Sequence, residues 1–148
     1  MSSSFMFGRL HASVLREVQA VRPKVWWKKK DTDAGMIQDY ETNIMGNFTC
    51  PNSKCKKTGW GSKKVAIRIR SYSGNGYNAV VYNQRCQSCK TLGRLAIDEE
   101  SYVERVAYRL KKWAGVHVQR PEYGGSGGPP HMRDLCEGCK SGHCQRGD

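Results

Sequence analysis

No stretch of about eighteen uncharged apolar residues interrupts this sequence, so nothing in it reads as a membrane-spanning helix. The N-terminal residues lack the long apolar run of a secretory leader. They contain serines and are slightly basic, but Glu17 and the want of an arginine stripe argue against a mitochondrial presequence. The expected location is therefore cytoplasmic, nuclear or both. Three hallmarks of catalysis are also missing: a glycine-rich phosphate loop, a carboxylate pair set for acid–base work, and the His-x-Glu companion that a zinc deaminase would place ahead of Cys136-x-x-Cys139. These absences point away from an enzyme.

The most informative absence is acidic. Between Thr42 and Ile97 there is no Asp or Glu, yet the interval holds ten cations: Lys54, Lys56, Lys57, Lys63, Lys64, Arg68, Arg70, Arg85, Lys90 and Arg94. The whole chain has a formal charge of +12. Two zinc ions on seven thiolates would leave about +9. A field of that sign favours polyanions such as RNA, DNA or an anionic membrane surface.

What is present is cysteine, and it comes in groups. The chain of 148 residues has seven: Cys50 and Cys55, Cys86 and Cys89, then Cys136, Cys139 and Cys144. An odd count without a leader argues against a disulfide framework. With His131 the cysteines make eight potential ligands, enough for two closed tetrahedral zinc sites. His143, adjoining Cys144, is a substitute for His131. Locality groups Cys50, Cys55, Cys86 and Cys89 around one ion, and His131, Cys136, Cys139 and Cys144 around the other. A crossed arrangement, with Cys136 and Cys139 joining either earlier pair, is equally allowed by spacing. Pro51, Asn52 and Gly138 suit the tight turns that such pairs need.

Several motifs in order resemble the 3CxxC-type zinc-finger family in its fungal form: Gly46-Asn-Phe-Thr-Cys50, Gly59-Trp-Gly-Ser-Lys-Lys-Val65, Gln84-Arg-Cys-Gln-Ser-Cys89, and His131 followed by Leu135-Cys-Glu-Gly-Cys139 and Gly142-His-Cys144. The likeness runs from about Ile44 to Gln145. The first pair departs from it, being C-x4-C. Related zinc domains occur in receptor-transporting proteins, which help membrane receptors reach the surface, and in zygote-arrest proteins, which bind RNA. The resemblance implies a non-enzymatic metal-binding module that takes RNA or, alternatively, acts as a protein-interaction or chaperone-like adaptor.

The expected fold is α+β: a small zinc-ribbon-like antiparallel sheet with two knuckle sites, a packed helix on its C-terminal side and an N-terminal helix. Residues 1–41 read as that first helix and a linker, and 42–148 as the zinc-binding domain. Phe7, Leu10, Val14, Leu15, Val18 and Val21 recur at helical spacing over Phe5 to Val21, with Ser4 as N-cap and Pro23 as terminator. Trp26, Trp27 and the three lysines that follow could stack on bases, though one indole packed under the helix is the simpler expectation. The acidic run from Asp31 to Glu41 reads as linker.

Val65, Ile67 and Ile69 alternate with polar residues, and Asn75-Gly76 signals a two-residue turn. That turn would set Arg70 opposite Val81 and put Val80 and Tyr82 in the core. The opposite face would then carry Lys64, Arg68, Arg70, Tyr72, Asn83 and Arg85. Of these, Lys64, Arg68, Arg70, Tyr72 and Arg85 form a candidate nucleic-acid surface. Trp60 is expected under the first knuckle, and Leu92 to Ile97 as a third strand. Asp98 to Ala114 is the clearest helix, with a capping box at Ser101–Glu104 and Gly115 at C′. Val116 to Val118 suggests a further strand, and Gly124 to Pro130 a flexible connection. With so modest an apolar share, removing zinc should unfold roughly the C-terminal two-thirds of the chain.

Overall fold

Two long antiparallel strands, β3 (Met36–Thr49) and β4 (Gly59–Tyr72), form the axis of the computed structural model, which describes residues 2–115, Met132 and residues 135–140. Around them lie β1 (Ser4–Phe5), β2 (Trp26–Trp27), β5 (Gly76–Tyr82) and β6 (Arg94–Ile97). The sheet order is β1-β5-β4-β3-β6, with β2 added to β5 in parallel. The helices are α1 (His11–Val18), entered through a 3-10 turn at Gly8–Leu10, then α2 (Glu99–Trp113) and α3 (Glu137–Lys140). The α+β class and the antiparallel sheet are as expected.

Side-chain alternation sets the core. Val65, Ile67 and Ile69 of β4 and Tyr77, Ala79 and Val81 of β5 are fully buried, in one cluster with Val14 and Val18 of α1 and Tyr102, Val106 and Leu110 of α2. The stripe that α2 buries is Tyr102, Val106, Ala107 and Leu110, at helical spacing. The helix start differs. Its N-cap is Asp98, whose Oδ1 accepts from the Ser101 amide at 2.9 Å, one turn ahead of the expected box. Ser101 is used otherwise: its hydroxyl donates to the Asp98 carbonyl and accepts from the Met45 amide, tying α2 to β3. Gly115 ends the helix at φ +84°, as expected for C′.

The N-terminal helix is shorter than its apolar spacing suggested. Phe5 pairs as a strand opposite Val81, so Ser4 is no cap. The hairpin register also differs. Tyr72 pairs with Gly76 and Arg70 with Asn78, which makes a three-residue loop through Gly74 (φ +78°) and Asn75 (φ +70°). The shift from the expected pairing is an odd number of residues, so it exchanges the faces of β5. Ala79 and Val81 enter the helix-side core. Val80 and Tyr82 share the opposite face with Arg68 and Arg70.

The second half of the run expected as a linker, from Met36 to Glu41, is the start of β3, while residues 31–35 form the loop before it. Asp39 pairs with Arg70 and Glu41 with Arg68 in the register of β3 on β4, so a boundary at residues 41 and 42 falls inside a strand. Cross-strand charge pairing explains why so polar a sequence is extended here. Val116 to Val118 and Gly124 to Pro130 lie outside the described residues.

Candidate metal centre

The far ends of β3 and β4 diverge into a loop, 50–58, that holds the first cysteine pair. Its shape is set by short polar contacts. The Asn52 side chain accepts from the Lys54 amide at 3.1 Å, the Asn52 carbonyl from the Cys55 amide at 3.0 Å, and the Thr58 carbonyl from the Cys50 amide at 3.1 Å. The second pair sits in an independent turn: Cys86 N–H donates to Thr91 O and Lys90 N–H to Cys86 O, both at 2.8 Å, with Lys90 at φ +63°. Beneath them Phe48 and Trp60 stack at 5.0 Å, and the Trp60 indole N–H donates to Gln84 Oε1 at 3.0 Å. Trp60, expected under the first knuckle, is seen instead against Phe48 and against Gln84 and Gly93, which flank the second. Gly93 has no room for a side chain, since a Cβ there would lie 2.9 Å from the Trp60 ring.

These supports bring all four sulfurs of Cys50, Cys55, Cys86 and Cys89 within 4.8 Å of one another. Cys50 Sγ lies 3.5 Å from Cys89 Sγ, and Cys55 Sγ 3.7 Å from Cys86 Sγ. A tetrahedral zinc–thiolate centre with bonds of about 2.3 Å requires sulfur–sulfur edges of about 3.8 Å. The donor set fits zinc, and the C-x4-C loop closes as well as the C-x2-C turn. The thiols also press on one another. The Thr91 hydroxyl, then its amide, hold Cys89 down at about 6. A backbone hydrogen bond at Asn52 lowers Cys50, but burial and the three neighbouring thiols outweigh it and push Cys50 up to about 12. Thiols crowded in this way shed all their protons only when a cation takes up the charge.

Of the third group, Cys136 and Cys139 are described; His131, His143 and Cys144 lie outside the described residues. The Cys139 amide is 3.4 Å from Cys136 Sγ, the backbone-to-sulfur contact of a knuckle turn. This turn is fastened to the strand entering the second knuckle. Gln84 bridges to Cys136, Arg85 N–H donates to Leu135 O at 2.8 Å, and Glu137 N–H donates to Asn83 O at 3.1 Å. Among the described residues it stands outside the four-sulfur group of Cys50, Cys55, Cys86 and Cys89.

The candidate nucleic-acid residues are placed differently from expectation. Arg68 and Arg70 are only 7% and 2% exposed. Arg68 Nη1 lies 2.8 Å from Asp33 and its Nε 3.0 Å from Asp39; Arg70 Nη2 lies 2.8 Å from Asp31 and its Nη1 3.1 Å from Asp33. Tyr72 is buried and its hydroxyl donates to the Thr32 carbonyl. Asn83 is buried as well. Arg85 spans Glu137 at 2.7 Å and the Lys90 carbonyl at 3.0 Å. Lys64 is half-buried beside a β-bulge, where it and Lys63 oppose Met45. The part of the expected cationic face formed by Arg68 and Arg70 is thus covered, because Asp31, Asp33 and Asp39 fold over it. Those acids were missed as functional partners. Their opposite sign to the acid-free stretch was the available signal.

A family model, a zinc-binding domain of the 3CxxC zinc-ribbon type, matches residues 43–142. No curated protein and no solved structure matches the chain.

Proposed function

We propose that this chain, which belongs to the 3CxxC zinc-ribbon family of zinc-binding domains, is a structural module that binds RNA and catalyses no reaction. Four sulfurs around one ion leave no coordination position for water, so such a centre supplies folding energy rather than Lewis-acid chemistry. The observation that carries the RNA reading is the charge segregation: ten cations and no acid between Thr42 and Ile97, in the stretch that builds the metal centre. Phosphate contacts would then dominate, and affinity should fall linearly in log–log form with salt. Fluorescence anisotropy of the zinc-loaded chain with labelled single-stranded RNA, titrated across salt, checks this. Salt-insensitive binding, or none, would remove the reading.

Cys136 and Cys139 would hold a second ion with His131 and Cys144. Metal analysis of purified protein is expected to give two zinc ions per chain, and a single ion would remove the second site. A protein partner is the other reading, favoured by Trp26 and Ile37, which are 43% and 61% exposed. Capture of one protein at high salt, with RNA absent, would support it.

A further inference from the structure

We infer that the RNA contact lies at the metal end of the sheet, where Lys54, Lys56, Lys57, Lys90 and Arg94 hold a single-stranded phosphate backbone without reading its sequence. The inference rests on the RNA reading above and relocates the surface. Of the ten cations in the acid-free stretch, Arg68, Arg70 and Arg85 are already held by carboxylates. Among the described residues the five named here enter no salt bridge. All are exposed except Lys57, which is half-buried.

They also belong together. Gln87 accepts from Lys57 Nζ at 3.3 Å through its side chain and from Lys90 Nζ at 2.8 Å through its carbonyl. One ammonium comes from each knuckle, so closing the four-sulfur centre fixes the distance between them. Arg94 pairs with Thr49, the residue before Cys50, which places it at the base of the same end. Repulsion between these cations is partly offset by a zinc–tetrathiolate centre of net charge about minus two beneath them.

The partner's chemistry follows from what this end offers. The neighbouring sheet face presents Asn47, Thr49, Gly61 and Ala96, all exposed and none aromatic, so bases find no stacking platform. Contacts are therefore with phosphates, which position a strand and carry no sequence information. A lipid surface fits less well. Among the described residues, the exposed large apolar ones are Val21, Trp26, Ile37 and Met132, and none of them lies in either knuckle to anchor in acyl chains.

The test compares zinc-loaded full-length wild type with two variants that lose equal charge: Lys57→Gln with Lys90→Gln, and Lys29→Gln with Lys30→Gln. The second pair is exposed and lies outside the knuckles. Binding of a labelled 20-mer of uridine is followed by anisotropy across salt, with zinc content and melting temperature measured on each protein. Each lost phosphate contact should cost roughly fivefold at 0.1 M salt and about 0.7 of the log–log slope. The knuckle variant is thus expected to bind roughly 25-fold more weakly, and the control within about twofold of wild type.

Wild-type-like binding by the knuckle variant, or equal loss in both variants, overturns the inference and leaves RNA binding standing. Failure of the wild type to bind any RNA sinks the functional reading, and this surface with it. Tighter capture of phosphatidylcholine vesicles containing phosphatidylserine than of the RNA overturns the assigned occupant.

Discussion

Replacing Arg70 with alanine is expected to remove about 3 kcal/mol of folding stability while the protein keeps its zinc. The guanidinium is 2% exposed and every group around it is chosen for it. Its Nε donates to Asn78 Oδ1 at 2.8 Å, and its two terminal nitrogens reach Asp31 and Asp33. Asn78 is itself fully buried, so truncation leaves an amide oxygen without its donor, at about 1–3 kcal/mol. Loss of the packed aliphatic stem adds to this. The two carboxylates cost less than fully buried partners would, because they are 53% and 58% exposed and recover water.

Lysine should not rescue, since one ammonium cannot reproduce the planar fork that spans three acceptors. Hydrogen bonds from Arg68 and then Arg70 hold the Asp33 carboxyl below its ordinary range. A group depressed in the folded state stabilises above its unfolded pKa, and that contribution is lost as pH falls through the folded one. The gap between wild type and R70A should therefore narrow in acid. Urea unfolding with zinc in excess, at neutral and acid pH, measures both. A neutral-pH loss below about 1 kcal/mol would mean that Arg70 is not held as described.

The same arginine marks where sequence reasoning reaches its limit. Alternation along Val65, Ile67 and Ile69 correctly identified the buried face of β4, because helices cover that side alone with apolar groups. It also assigned Arg68 and Arg70 to water, since period-two patterning does not distinguish a solvated face from one sealed by charge. The seal comes from Asp31 and Asp33 in the loop before β3 and from Asp39 within it, tens of residues away, and the polarity of Asp39 and Glu41 disguised the start of β3 as linker. The turn failed for a smaller reason. Asn75-Gly76 does carry a positive φ, but at Gly74 and Asn75, and one more loop residue is enough to exchange the faces of β5. The cysteine pairs were legible because metal geometry constrains spacing directly. The fastening of Cys136 to Gln84 was not, because it depends on a single bridge between distant segments.

Chelating the metal is expected to strip amide protection by at least about a hundredfold from residues 46–62 and 84–95, while β4–β5 around Ile67–Val81 and both long helices stay protected. This is narrower than the unfolding that a lean apolar share suggested. No member of the buried core cluster lies in loops 50–58 or 86–93. Its Val, Ile, Leu and Tyr side chains pack between the sheet and α1 and α2, where no sulfur contributes. The knuckles have the opposite character. They are short polar turns around four sulfurs at contact distances such as 3.5 and 3.7 Å, and without a cation those sulfurs repel one another as they ionise.

Metal binding supplies on the order of 10 kcal/mol to such structures, enough to order the loops and to pin β6 on β3 through Phe48 and Leu95. Hydrogen exchange with mass spectrometry on the chelated chain, and on Cys86→Ser with zinc present, should show the same two regions. Protection lost everywhere would make the helical core dependent on the ion. Protection kept in 46–62 would mean that the sulfurs are held by something other than metal.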